Sequence, residues 1–169
     1  MLYQTHARIH LGNIRDNIEG IRKAVGAQRK ILIAVKANGY GHGAVEVSRM
    51  AENIGVDWLG VATVPEGIQL REAGIRLPVL KFSPTFPEEM EAGVRSGITL
   101  SVGERSNIAA LQAICAEHTL TAVVHLKVDS GMGRVGVALA EAPALAAYIE
   151  KECPNLRLQG IFTHLPVSD

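Results

Sequence analysis

Ile31-Leu32-Ile33-Ala34-Val35-Lys36-Ala37-Asn38-Gly39-Tyr40-Gly41-His42-Gly43 is the stretch on which the fold turns. Its first five residues are apolar without a polar alternation. That is the pattern of a strand covered on both faces, as in a parallel sheet. The run ends in a lysine and then in glycines at alternate positions, which let the backbone turn tightly and approach an anion. Val47, Met50, Ala51 and Ile54 follow at helical spacing. The unit therefore reads strand, turn, helix. Parallel α/β folds collect their sites where such strands end.

Outward from this unit the same alternation repeats. Further β-type runs occupy Ala7–Leu11, Trp58–Ala62, Pro78–Lys81, Ile98–Val102, Ala122–Val128 and Arg157–Thr163, with the first unit's strand spanning Lys30–Lys36. Ile14, Ile18, Ile21 and Val25 recur at helical spacing, as do Ile108, Leu111, Ile114 and Cys115. Three helix starts place a hydroxyl three residues before a glutamate: Thr63 and Glu66, Thr85 and Glu88, Ser101 and Glu104. Each reads as a capping box, the first two with proline just inside. No two-residue hairpin turn appears, so the strands should be parallel and linked by helices. Periodicity alone leaves an open doubly wound sheet or a (β/α)8 barrel, which typically needs about 250 residues. With a strand every 20 to 30 residues or so, 169 residues hold about six of the eight barrel strands. The expected fold class is thus α/β, an incomplete TIM barrel. No linker or low-complexity segment divides the chain, so residues 1–169 are expected to form one domain.

Composition excludes several function classes. Seventeen basic and 17 acidic side chains balance to zero, so the broad basic surface of a nucleic-acid binder is missing. The longest clean apolar run, Ile31–Val35, falls far short of the ~20 residues of a membrane helix. No charged start followed by an apolar stretch marks a secretory signal. Cys115 and Cys153 form neither a disulfide scaffold nor a CxxC metal pair. A soluble cytoplasmic protein is expected, with no membrane or nucleic-acid partner and no metal.

Three strand ends carry candidate chemistry. Lys36 closes the first apolar strand. A lone lysine there is usually a surface cap. The sharper reading is an amine in a partly dry pocket, where desolvation favours the neutral form that attacks an aldehyde. The second segment is His125-Leu126-Lys127-Val128-Asp129-Ser130-Gly131-Met132-Gly133-Arg134. A Gly-rich turn there brings Arg134 to the rim, either as a solvated side chain or as a guanidinium for an oxyanion or carboxylate. Lys127 lies inside the strand and points to the interior, where an ammonium needs a partner or a modification. The third is His164, just past the last visible strand. A lone histidine is more often structural than functional. No HExxH, GxGxxG, P-loop or GxSxG pattern offers another chemistry.

The stretch from Ala34 to Gly43 resembles the pyridoxal-phosphate attachment motif of alanine racemases. The stretch from His125 to Arg134 resembles that family's second signature, and Thr163-His164 its third. All three stand in the family's order across nearly the whole chain. The resemblance implies a TIM barrel followed by a C-terminal β domain, which these residues lack, and the cofactor pyridoxal 5'-phosphate. It implies interconversion of L-alanine and D-alanine, with D-alanine serving peptidoglycan synthesis. Lys36 becomes the Schiff-base lysine and one of two catalytic bases. Tyr40 bonds the cofactor phosphate. Arg134 contacts the cofactor phenolate oxygen and the substrate carboxylate. His164 lies against the pyridine ring. Lys127 is the position that many members carry as N6-carboxylysine. The second base is a tyrosine of the partner subunit in a homodimer, so residues 1–169 alone should be inactive. Lys81, where members often have glycine after the third barrel strand, departs from the pattern, as does Leu165-Pro166-Val167-Ser168-Asp169. These departures keep a serine, lysine or broad-specificity racemase as the alternative. An inactive cofactor-binding fragment needing complementation is another.

Overall fold

Six of the seven apolar runs become parallel strands in the computed structural model, which describes residues 5–167. The elements are α1 (Leu11–Val25), β1 (Leu32–Ala34), the short turn α2 (Lys36–Tyr40), α3 (Ala44–Asn53), β2 (Trp58–Val61), α4 (Val64–Glu72) and β3 (Val79–Pro84). They continue as α5 (Pro87–Arg95), β4 (Ile98–Val102), α6 (Arg105–Glu117), β5 (Ala122–Asp129), β6 (Val137–Ala138), α7 (Ala142–Glu152) and β7 (Leu156–Phe162). The sheet runs β1-β2-β3-β4-β5-β7, every pair parallel, with the two-residue β6 alongside the end of β5. Among the described residues no helix is long and apolar enough to cross a membrane.

The seventh run fails as a strand. Residues 5–10 are irregular and exposed, and Leu11 opens α1, with the His10 carbonyl accepting from Asn13 and Ile14. Ala7, Ile9 and Leu11 alternate correctly, but pattern alone does not supply a neighbouring strand. Two of the three capping boxes also fail. Thr63 and Glu66 close theirs at the start of α4. Thr85, however, precedes the N-cap Phe86, and α6 starts at Arg105 with Glu104 as N-cap. Ser101 lies within β4 and gives its hydroxyl to the Lys81 carbonyl. Lys81 itself sits inside β3 rather than after it. It is buried, and its ammonium donates to the carbonyls of Ser83 (3.1 Å) and Pro84 (2.6 Å).

Alternate side chains of the strands divide two packed regions. Leu59, Val61, Val79, Leu100, Val102, Val124 and Leu126 are buried in the main core with Leu70, Met90, Ile108 and Leu111 of the helices. Burying each such side chain contributes about 1.5–3 kcal/mol. The other face curls inward on itself. Trp58 on β2 and His125 on β5 are not on neighbouring strands, yet their ring centroids lie 5.3 Å apart. Phe82 on β3 meets Phe162 on β7 at 6.1 Å, and His125 meets Phe162 at 6.4 Å. Gly60 makes room, since a Cβ there would lie 1.9 Å from the Phe82 ring. The sheet is therefore a curved trough with aromatic residues across its floor. All strands are parallel, so the loops after β1, β5 and β7 emerge on one rim.

Candidate functional site

Lys36 stands one residue beyond the end of β1, after Val35, and opens a left-handed turn. Ala37, Asn38, Gly39 and Tyr40 have φ of +51°, +54°, +62° and +53°. For residues other than glycine this conformation costs roughly 1–2 kcal/mol each. Backbone bonds Gly39 N–H to Val35 O (2.8 Å) and Gly43 N–H to Asn38 O (2.9 Å) offset part of that cost. The Asn38 side-chain oxygen accepts from Ala44 N (2.9 Å), tying the turn to α3. Glu66 of α4 accepts from Ala37 N at 2.7 Å. Lys36 is half-buried, with its Nζ 5.8 Å from the centre of the Tyr40 ring. Tyr40 is exposed. Among the described residues no carboxylate pairs with the Lys36 amine.

The loop after β5 is organised by Asp129. Its Oδ1 accepts from Gly131 N (2.9 Å) and Gly133 N (3.1 Å), and its Oδ2 from Arg134 N (3.1 Å). These backbone N–H groups hold the carboxyl below the usual carboxylate range. The loop lies close over the strand it leaves. At Gly136, with φ +120°, a Cβ would meet Asp129 N at 2.7 Å. Arg134 is thus presented by a backbone anchored to the end of its own strand, and no side chain pairs with its guanidinium among the described residues. Ser130 joins this loop to the end of β7. Its hydroxyl shares a hydrogen bond with that of Thr163 (2.7 Å), which donates to Val128 O (2.8 Å). Ser130 Oγ also reaches His164 O at 3.4 Å.

Lys127 lies on the inner face of β5, as its position in the strand implied. It is buried, with its Nζ 4.6 Å over the Phe162 ring. Burial lowers its pKa; the charge of Asp129 opposes this and that of Arg134 adds to it. No salt bridge to Lys127 forms among the described residues.

Lys127, Arg134 and His164 line one small depression together with Asp129 and Met132. Lys127 and Arg134 also face a larger cleft of about 580 Å³, bounded by Thr85, Ser101, Asn107 and Gly136. Lys36 and Tyr40 share the rim but line neither hollow. Asp129 and Glu66 act by accepting from backbone N–H groups, and Ser130 and Thr163 by bonding each other and backbone carbonyls. Sequence patterns marked Glu66 only as a helix cap and named the other three within motif segments without giving them a role. The rim thus carries an amine and a phenol after β1, and a guanidinium and an imidazole beside one hollow after β5 and β7. They suit an aldehyde that also carries anionic oxygens.

The family model described as "Alanine racemase, N-terminal domain" matches residues 9–169. An alanine racemase of Cutibacterium acnes is 47% identical over 169 residues, covering 98% of this chain and 44% of that protein. One from Desulforamulus reducens is 40% identical, covering 96% and 44%. A solved alanine racemase of Clostridium difficile 630 superposes with a TM-score of 0.94 at 36% identity, covering 100% of this chain and 47% of that one. The chain spans under half the length of these relatives.

Proposed function

The chain belongs to the family of alanine racemase N-terminal domains, and from that membership we propose that the whole protein interconverts L-alanine and D-alanine with pyridoxal 5'-phosphate. The observation that carries this reading is Lys36, an amine without an ion-pair partner among the described residues, just past β1 on the rim that also bears Arg134 and His164.

The donor set fits the cofactor. When bound, pyridoxal phosphate supplies an electron sink that acidifies the substrate Cα–H. Lys36 Nζ would hold the cofactor's aldehyde carbon and, once the substrate amine had taken its place there, would be free to move a proton at the substrate Cα on one face. Tyr40 Oη would donate to the phosphate. Arg134 would bind the substrate carboxylate and the phenolate oxygen. His164 would pack against the pyridine ring. Burial lowers the Lys127 pKa, which favours the neutral amine, the form that would add carbon dioxide and lose a proton to give N6-carboxylysine. That anion would orient Arg134 and remove the burial problem of a lone ammonium. A tyrosine of a partner subunit would serve the opposite face, in a cytoplasmic homodimer supplying D-alanine for peptidoglycan. Leu165-Pro166 after His164 favours a second reading, a broader amino-acid substrate range.

Borohydride reduction of the full-length protein with pyridoxal phosphate should fix the cofactor on Lys36, located by peptide mass spectrometry. Capture on another lysine, or none, sinks the proposal. Comparing racemisation of alanine, serine and lysine decides between the two substrate readings.

A further inference from the structure

We infer that Glu66 is a positioning residue for Lys36, clamping the peptide group that follows it. The inference rests on the function proposed above for Lys36.

The Glu66 carboxylate takes three backbone N–H groups from two neighbouring strand ends. Oε1 accepts from Ala37 N at 2.7 Å. Oε2 accepts from Ala62 N at 2.7 Å and from Thr63 N at 3.2 Å. A capping box requires only the bond to the N-cap, Thr63. The bonds to Ala62 and Ala37 exceed that task, and the Ala37 bond leaves the helix altogether. It crosses from α4 to the adjacent strand–turn unit, 29 residues away.

Its target is the peptide plane joining Lys36 to Ala37. That plane sets the direction in which the Lys36 Cα leaves β1, just where the chain enters its left-handed turn. A turn with three non-glycine residues at positive φ persists only when its surroundings hold it. The side-chain bonds of Asn38 and His42 stay within residues 38–44. Among the described residues, Glu66 alone brings a side-chain hydrogen bond to this turn from another strand–helix unit. Only a carboxylate offers acceptor lone pairs on both oxygens. A glutamine would turn an N–H donor toward either Ala37 or the Ala62–Thr63 pair, and an aspartate is one methylene shorter.

The test uses the full-length protein, with Glu66→Gln, Glu66→Asp and the control Thr63→Ala. Thr63→Ala removes the hydroxyl half of the capping box and spares the Ala37 bond. Hydrogen exchange at the Ala37 amide, read on the cofactor-free protein, should become about tenfold faster in Glu66→Gln. The kcat of racemisation should fall by about 10- to 100-fold, with a smaller change in KM. Thr63→Ala should lower the melting temperature yet leave Ala37 exchange and kcat within about twofold of the parent. Unchanged Ala37 exchange in both Glu66 variants overturns the inference. So does a Thr63→Ala variant that reproduces their kcat loss. If Glu66→Gln does not fold, Glu66→Asp decides by the same readouts. Failure of the functional reading shows separately, as absent cofactor capture on Lys36 in the parent protein.

Discussion

His125 lies between Trp58 and Phe162, with its Nε2 buried and without a hydrogen-bond partner among the described residues. Burial lowers its pKa, and a hydrogen bond with the Gln159 side chain opposes this in part. The folded chain therefore keeps this ring neutral at a pH where the unfolded chain already protonates it. Its contribution to stability is complete above the ordinary histidine value and is lost as pH falls through that value toward the lower folded one. Melting temperatures between about pH 7.5 and 5 should show the effect. His125→Gln should melt lower at the top of this range and lose less on acidification than the parent. An equal loss in both would show that other groups set the acid limb. The same scale shows what residue patterns conceal. The places of Lys36 just past β1, Lys127 within β5 and His164 just past β7 were legible, because the apolar runs mark where those strands lie. The left-handed conformation of Ala37, Asn38 and Tyr40 was not, because none of the three is glycine. Glu66 was legible as a cap, but its bond to Ala37 is not a local event.

Each strand of the trough reads clearly from its apolar run, and its partners do not. Ala7–Leu11 has the period of a strand but pairs with no other strand among the described residues. Ser101 stands three residues before a glutamate and still belongs to β4, because its hydroxyl finds the Lys81 carbonyl rather than a helix N-terminus. The contact between β2 and β3 at Gly60 belongs to this scale and could not be foreseen from the glycine alone. Gly60→Ala forces a methyl group into the Phe82 ring, and overpacking of this kind costs typically 1–3 kcal/mol. Chemical denaturation should show that loss. Adding Phe82→Leu should recover part of it in a double-mutant cycle, because the two side chains share one space. Strictly additive losses would rule out the clash as the cause.

Across the whole molecule, β1 and β7 each have one side unpaired among the described residues, and apolar side chains stand beside them. Leu32 is 38% exposed and Ile161 61%, with Leu165 at 63%. Open sheet edges flanked by such residues invite association between chains. Residues 1–169 expressed alone should therefore form concentration-dependent assemblies, seen as excess mass in light scattering after gel filtration. Ile161→Lys should reduce them by placing a charge on the β7 edge. A monodisperse monomer in the parent chain would contradict the expectation.

The order of strands in the trough also bears on how it assembles. From β1 to β5 each strand pairs with the next in the chain, and β7 joins β5 with only α7 and the short β6 between. Each pairing along this path thus closes a short loop between strands near one another in the chain, a low-cost closure for a parallel sheet. A growing polypeptide can add each unit to a template already made, without waiting for distant sequence. Once β7 emerges, Phe162 meets both Phe82 and His125, and the rim has gained Lys36, Arg134 and His164 in the order of synthesis.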